Sequence, residues 1–108
     1  DPVEINQQIK VVRHYEPSAP AYFGNIQTKY KMVKFVFLPI VPLNPKEQGE
    51  YYVNAIHLEE KFLEDLRKEG VNFTILSGLN HEDYYDALHL NEAGAEKAVL
   101  HIQKILSE

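Results

Sequence analysis

The sequence predicts an α/β fold in which helices cover parallel strands in a three-layer α/β/α arrangement. Residues 32–38 are β-branched and aromatic and almost wholly apolar after Lys34, which is typical of a strand buried on both faces of a parallel sheet. Residues 71–76 predict a second strand. The segment between them has a helical period, and a strand–helix–strand unit implies a right-handed crossover between parallel strands.

Two helices are predicted before the first strand. Residues 2–15 place Ile5, Ile9 and Val12 on one helical face, and Pro2 suits a first helical position, although Val11-Val12 would also suit a strand. The prolines in 16–20 predict a turn. A short helix should follow, and three residues recur on it at i, i+4 and i+8, namely Tyr22, Ile26 and Tyr30.

The rest of the chain predicts two longer helices. The first should occupy roughly residues 46–69 and end at Gly70, which supplies the C-terminal cap. Residues 77–90 predict a loop, after which Asn91 caps the last helix. The inner stripe predicted for that helix consists of Ala95, Ala98, Val99, Ile102 and Leu106.

Length and composition indicate one α/β domain over residues 1–108, with helices in 1–31 and the strand–helix–strand–helix unit in 32–108. A formal net charge of -5 disfavours nucleic acid and anionic membranes as partners. The longest apolar run, 35–43, is interrupted by prolines and too short to span a bilayer. A parallel sheet of two strands is small, so we expect further strands elsewhere or pairing with another chain. The start at Asp1 is compatible with a cleaved or exported precursor.

The most informative stretch is 86–94, Asp-Ala-Leu-His-Leu-Asn-Glu-Ala-Gly. It places the carboxylate of Asp86 three residues before the imidazole of His89, in the loop between the second strand and the last helix. Asp86 can therefore turn back onto the ring, select its tautomer and stabilise its protonated form. Loops at the carboxyl ends of strands are where α/β sheets collect functional residues.

Residues 85–94 resemble the last conserved block of the SGNH (GDSL-like) hydrolase superfamily, in which the Asp and His of the triad lie three apart before a helix. The order of strands and helices over 32–107 is similar to that of the superfamily as well. Within the superfamily, the chain looks most like the cell-surface acyl-transfer relatives of the D-alanyl transfer type. The resemblance implies that this is an incomplete, C-terminal part of a flavodoxin-like SGNH domain. It also implies that His89 is the general base and Asp86 its orienting partner.

The same resemblance implies a serine esterase or O-acyltransferase that acts on acyl esters, such as those of carbohydrates or the cell envelope, in an exported or cell-surface location. The family's Gly-Asp-Ser block and its oxyanion-hole Gly and Asn blocks do not occur in these residues. The nucleophile is therefore expected outside this chain, in a missing N-terminal half or a partner chain, and the chain alone is expected to be inactive. No cofactor and no metal are assigned.

Three alternatives stay open. The chain could be a non-catalytic α/β interaction module that retains the D-x-x-H loop for structure. Ser77, at the end of the second strand, could be a local nucleophile, although it lacks the strand–turn–helix context of such serines. A metal site could use side chains of the loop, but their spacing matches no strong template. Its ligands would come from His81, Glu82, Asp83, Asp86 and His89.

Overall fold

The computed structural model of the chain describes residues 1–12 and 16–108. Four α-helices and two strands follow one another in the predicted order: α1 Pro2–Val12, α2 Ala19–Lys29, β1 Phe35–Phe37, α3 Glu50–Lys68, β2 Phe73–Ile75 and α4 Glu92–Leu106. Single turns of 3-10 helix, Pro45–Glu47 and His81–Asp83, precede α3 and α4. Residues 13–15, the last part of the predicted first helix, and the side chain of Val12 lie outside the described residues.

The two strands pair in parallel, with Phe35 opposite Phe73 and Phe37 opposite Ile75. This confirms an α/β fold with a small parallel sheet. Both strands are three residues long, and every position in them is half-buried. The prediction of a strand over 32–38 that is buried on both faces was therefore wrong in two respects: the strand is shorter, and its residues are less buried. Because the sheet of the described residues has two strands, each strand keeps one edge without a neighbouring strand.

One face of the sheet is covered by α2 and α3 through aromatic contacts. The Phe23 ring of α2 meets Phe35 edge-on at 5.1 Å and Phe37 at 5.6 Å between ring centroids. Phe62 of α3 meets Phe37 at 5.8 Å. Such edge-to-face pairs add about 0.5–1.5 kcal/mol each beyond the burial of their area. The inner face of α2 therefore includes Phe23, whereas the predicted Tyr22 and Tyr30 are exposed.

A second apolar cluster joins α1, α3 and the loops that follow β1 and β2. It is made of residues that are almost wholly buried: Ile5, Ile9, Ile40, Val41, Leu43, Tyr52, Ala55, Tyr84 and Ala87. The Tyr52 hydroxyl lies within it, donating to the carbonyl of Val41 at 2.7 Å and accepting from the amide of Leu43 at 3.2 Å. This cluster lies directly beneath the loop that carries Asp86 and His89, since Ala87 belongs to both.

Helix α4 is rotated relative to the predicted inner stripe. Its buried residues are Gly94, Ala98 and Ile105, while Val99 and Leu106 are largely exposed. Gly94 approaches the backbone of Asp83 closely, and this contact sets the rotation. Within the described residues, no helix is long and apolar enough to cross a membrane.

Candidate functional site

The start of α4 is fixed by Asn91. Its side-chain oxygen accepts from the amide of Gly94 at 3.0 Å, which confirms the predicted cap. The side-chain nitrogen of Asn91 donates to the carbonyl of Glu82 at 2.6 Å, and its amide donates to the carbonyl of Asp83 at 2.9 Å. One residue thus caps the helix and ties it to the 3-10 turn that precedes the site.

Asp83 attaches the same turn to α4 from the other direction. This residue is 4% exposed, and its carboxylate accepts from the amide of Asn80 and from the ammonium of Lys97, both at 2.8 Å. The hydrogen bond from Lys97 is the main reason that the pKa of Asp83 lies below its usual range. A side chain at Gly94 would overlap the Asp83 carbonyl, so glycine is needed for helix and turn to meet.

Asp86 turns back onto His89, as the three-residue spacing predicts. The Nδ1 of His89 lies 2.9 Å from one carboxylate oxygen of Asp86 and 3.0 Å from the other. The first oxygen also accepts from the amides of Leu88, at 2.9 Å, and His89, at 2.8 Å. Mainly the amide of Leu88, and also the ring and amide of His89, lower the pKa of Asp86, while burial opposes them.

This geometry determines which nitrogen of His89 carries the proton. An ionised carboxylate only accepts hydrogen bonds, so Nδ1 is the protonated nitrogen and Nε2 holds the lone pair. The His89 side chain is 74% exposed, while the Asp86 side chain is 27% exposed. The arrangement therefore presents a basic nitrogen at the surface with a carboxylate behind the ring, which is the relation that general-base catalysis needs.

A cleft of about 520 Å³ lies beside Asp86, between the loop and α1. Tyr84 and Tyr85 both line it. Tyr85 is 81% exposed, whereas Tyr84 is buried and donates its hydroxyl hydrogen bond to the carbonyl of Pro39 at 2.6 Å. From the sequence we expect at least one of these two tyrosines to pack in the core, with the lining of an acyl pocket as the alternative. Tyr84 thus belongs to both the apolar cluster and the cleft wall, whereas Tyr85 is an exposed part of the cleft wall.

Helix α1 is the part of the site that sequence reasoning missed. The side-chain oxygen of Gln8 accepts from the amide of Ala87, between Asp86 and His89, at 2.9 Å. The carbonyl of Ala87 accepts from the amide of Val41 at 3.1 Å. Gln8 and Ala87 are 79 residues apart, so no local pattern in the sequence could have paired them.

The structure gives no support to Ser77 as the partner of His89. The amide of Ser77 donates to Nδ1 of His101, on α4, at 3.3 Å. Ser77 and His101 line a separate surface depression that also includes Lys104 and Glu108. The sequence-based alternative of a nucleophile at Ser77 is therefore without a geometric basis at the Asp86–His89 pair.

The metal-site alternative also lacks a geometric basis. Among residues 1–12 and 16–108, no three His, Cys, Asp or Glu side chains are grouped so that they could hold a metal ion. Of the five candidate ligands, Asp83 is directed away at Lys97, whereas Asp86 and His89 contact each other. The five side chains lie close together in the sequence, but no three of them form a group that could hold a metal ion.

Comparison of the chain with family models, with curated proteins and with solved structures finds no match. The resemblance to the SGNH hydrolases thus stays a prediction that depends on the residues around Asp86 and His89.

Proposed function

We propose that this chain is the C-terminal part of an SGNH-type serine esterase or O-acyltransferase, and that it supplies the Asp86–His89 pair to a serine outside these residues. The observation that carries the proposal is the contact between the Asp86 carboxylate and Nδ1 of an exposed His89. Both the tautomer of the ring and its exposure suit a base that serves a nucleophile approaching from outside the loop.

The chemistry proceeds by acyl transfer through a serine ester. Nε2 of His89 takes the hydroxyl proton as the serine oxygen attacks the acyl carbonyl, and it returns that proton to the departing alkoxide. Asp86 stays ionised and stabilises the imidazolium that forms between these steps. Amide donors of the part that holds the serine stabilise the oxyanion. Water or an acceptor hydroxyl then takes the acyl group by the same steps in reverse.

In this proposal the two strands belong to a wider, flavodoxin-like sheet with helices on both faces. The remaining strands, the serine and the oxyanion donors come from an N-terminal half or a partner chain. Two features support it: the strand positions are half-buried, and α4 exposes Val99, Leu100 and Leu106. Substrates of the carbohydrate or cell-envelope ester class and an exported location follow from the resemblance alone.

The second candidate is a non-catalytic interaction module, and one observation favours it. The Asp86 carboxylate accepts from two backbone amides of its own loop, as Asp side chains do in turns that perform no chemistry. In that function the His89 ring contributes to the shape of the loop and transfers no proton.

The test uses the complete protein encoded by the gene that contains these residues, with p-nitrophenyl acetate as substrate. We expect His89→Ala and Asp86→Asn to lower kcat/KM by roughly 10³–10⁴-fold, because the serine loses its base or the base loses its correct tautomer. His57→Ala is the matched control, since His57 is an exposed histidine of α3. Equal turnover in His89→Ala, His57→Ala and the unmodified protein would leave the interaction module as the function.

A second measurement does not depend on the choice of ester. A fluorophosphonate probe forms a covalent bond with an activated serine and displaces fluoride, and we expect labelling of the complete protein that His89→Ala abolishes. The labelled peptide should come from outside the 108 residues. Labelling at Ser77 would contradict the assignment of the nucleophile, and absence of labelling would contradict the esterase.

A further inference from the structure

The backbone amides of the loop from Tyr85 to His89 are all accounted for. The amides of Tyr85 and Asp86 donate to the carbonyl of His89, at 2.7 and 3.5 Å. The amides of Leu88 and His89 donate to the Asp86 carboxylate. These four hydrogen bonds lie within the loop. They hold Asp86 and His89 relative to each other, but they do not hold the loop relative to the rest of the protein.

The remaining amide of the loop, that of Ala87, reaches out of it to α1. It donates to the side-chain oxygen of Gln8 at 2.9 Å, and Ala87 itself is completely buried. The carbonyl of the same residue accepts from Val41. Ala87 is thus held on both sides, and of these two bonds the one to Gln8 depends on a side chain and can be removed by substitution.

Helix α1 is well suited to hold the loop. Its Ile5 and Ile9 are buried in the cluster that also contains Ala87, and α1 packs against α3. Gln8 lies on the same side of the helix and is itself part of the cleft wall beside Asp86. The hydrogen bond from Ala87 therefore couples the cleft wall to the residue between the two members of the pair.

We infer that Gln8 is a positioning residue for the Asp86–His89 pair, an inference that rests on the proposed function. The hydrogen bond of Gln8 goes to the backbone between the two members of the pair and to neither of their side chains. It holds the loop so that Nε2 of His89 meets the serine, and a displacement of about 1 Å at such a site costs up to roughly 10²-fold in rate. Helix α1 is thereby part of the catalytic arrangement, 79 residues before the residue it holds.

The experiment compares three variants of the complete protein. Gln8→Met removes the acceptor while keeping the length and helix propensity of the side chain. Gln8→Glu restores an acceptor at the same reach. Gln7→Met is the control, because Gln7 is the exposed neighbour on the same helix. NMR measures amide exchange and the ¹⁵N shifts of the His89 ring. Steady-state kinetics with p-nitrophenyl acetate as substrate give kcat and KM.

We expect Gln8→Met to accelerate exchange at the Ala87 amide about tenfold, as loss of one hydrogen bond does, with α4 amides unchanged. The same variant should lower kcat roughly 10–100-fold at nearly constant KM. The ¹⁵N shifts of the His89 ring should stay unchanged, because Asp86 still sets the tautomer of the ring from within the loop. Gln8→Glu should recover the protection of Ala87 and most of kcat. Gln7→Met should match the unmodified protein.

Two results would overturn the inference. One is wild-type exchange at Ala87 and wild-type kcat in Gln8→Met. The other is faster exchange throughout α4 and the core, because the effect would then be general loss of stability. These outcomes differ from failure of the proposed function, which would show as turnover that is independent of His89 whatever happens at Gln8.

Discussion

At the scale of single residues, Asp86 has two structural roles that use the same oxygen atom. It accepts from two amides that shape the loop and it faces Nδ1 of His89. Both kinds of partner favour the ionised carboxylate over the neutral acid, so the loop and the pair depend on one charge.

The pH dependence of the loop follows from the lowered pKa of Asp86. Its folded pKa lies below the ordinary value of 3.8, so its contribution to stability is complete above that value. That contribution is lost as pH falls through the lower, folded pKa. We therefore expect the NMR shifts of the Leu88 and His89 amides to change with a midpoint below pH 3.8.

Asp86→Asn supplies the control for this titration, because it has no carboxyl group to protonate. The two amide signals should then show no transition in that range. A midpoint at or above 3.8 in the unmodified protein would contradict the hydrogen-bonded carboxylate.

At the scale of elements, the decisive contact is the one between the 3-10 turn His81–Asp83 and the start of α4. Asn91 caps the helix and binds the 3-10 turn through its side chain. Asp83 of that turn binds Lys97 of α4, and the absence of a side chain at Gly94 lets the turn and the helix approach each other. The Asp86–His89 loop lies between these two elements along the chain. Its ends are therefore fixed by contacts that involve neither member of the pair.

Glycine-to-alanine substitutions can separate the effect of this contact on stability from the effect of helix propensity. Gly94→Ala places a methyl group against the Asp83 carbonyl, so we expect it to lower the free energy of unfolding by about 1–3 kcal/mol. Gly24→Ala is the matched control within α2, where the nearest atoms would lie at 3.7 Å. It should be neutral or stabilise the protein by up to about 1 kcal/mol.

Urea denaturation of the two variants measures this difference. Equal stability of Gly94→Ala and the unmodified protein would mean that α4 does not need its close approach to the turn. Turnover by the complete protein should fall in Gly94→Ala and stay unchanged in Gly24→Ala.

At the scale of the whole molecule, Tyr84 connects the loop before α4 to the segment after β1. Its hydroxyl donates to the carbonyl of Pro39, 45 residues away, from within the apolar cluster under the site. Burial raises the pKa of Tyr84 to about 12, with smaller contributions from the charge of Glu59 and from Tyr52 and Asp83. The buried phenol therefore resists ionisation that an exposed tyrosine would undergo.

The raised pKa of Tyr84 predicts an alkaline loss of stability. The contribution is complete below pH 10, the ordinary pKa of tyrosine, and it is lost as pH rises towards about 12. Tyr84→Phe should reduce the decrease in the free energy of unfolding between pH 10 and about 12. The reduction should be partial, because the pKa of buried Tyr52 is raised as well. Tyr22→Phe, at a side chain that is 65% exposed, should leave the curve unchanged. Superimposable curves for Tyr84→Phe and the unmodified protein would contradict the assignment.

Several features of this fold could be read from short segments. The order of helices and strands, the cap at Asn91 and the turn of Asp86 onto His89 each depend on residues close together in the chain, and the parallel pair follows from the strand–helix–strand order. Two predicted helix faces were less accurate, since Phe23 replaces Tyr22 and Tyr30 in α2 and Gly94 rotates α4. In both helices the inward side is chosen by a contact with a distant element, which periodicity does not specify.

The amino-acid order alone was enough to place a carboxylate and an imidazole in contact at the end of a parallel pair, because a spacing of three residues in a turn leaves little other choice. It could not show that Gln8 holds Ala87, that Tyr84 reaches Pro39 or that Ser77 lies beside His101. Those contacts join residues 24 to 79 positions apart, and they form only after packing of the apolar cluster has brought the elements together.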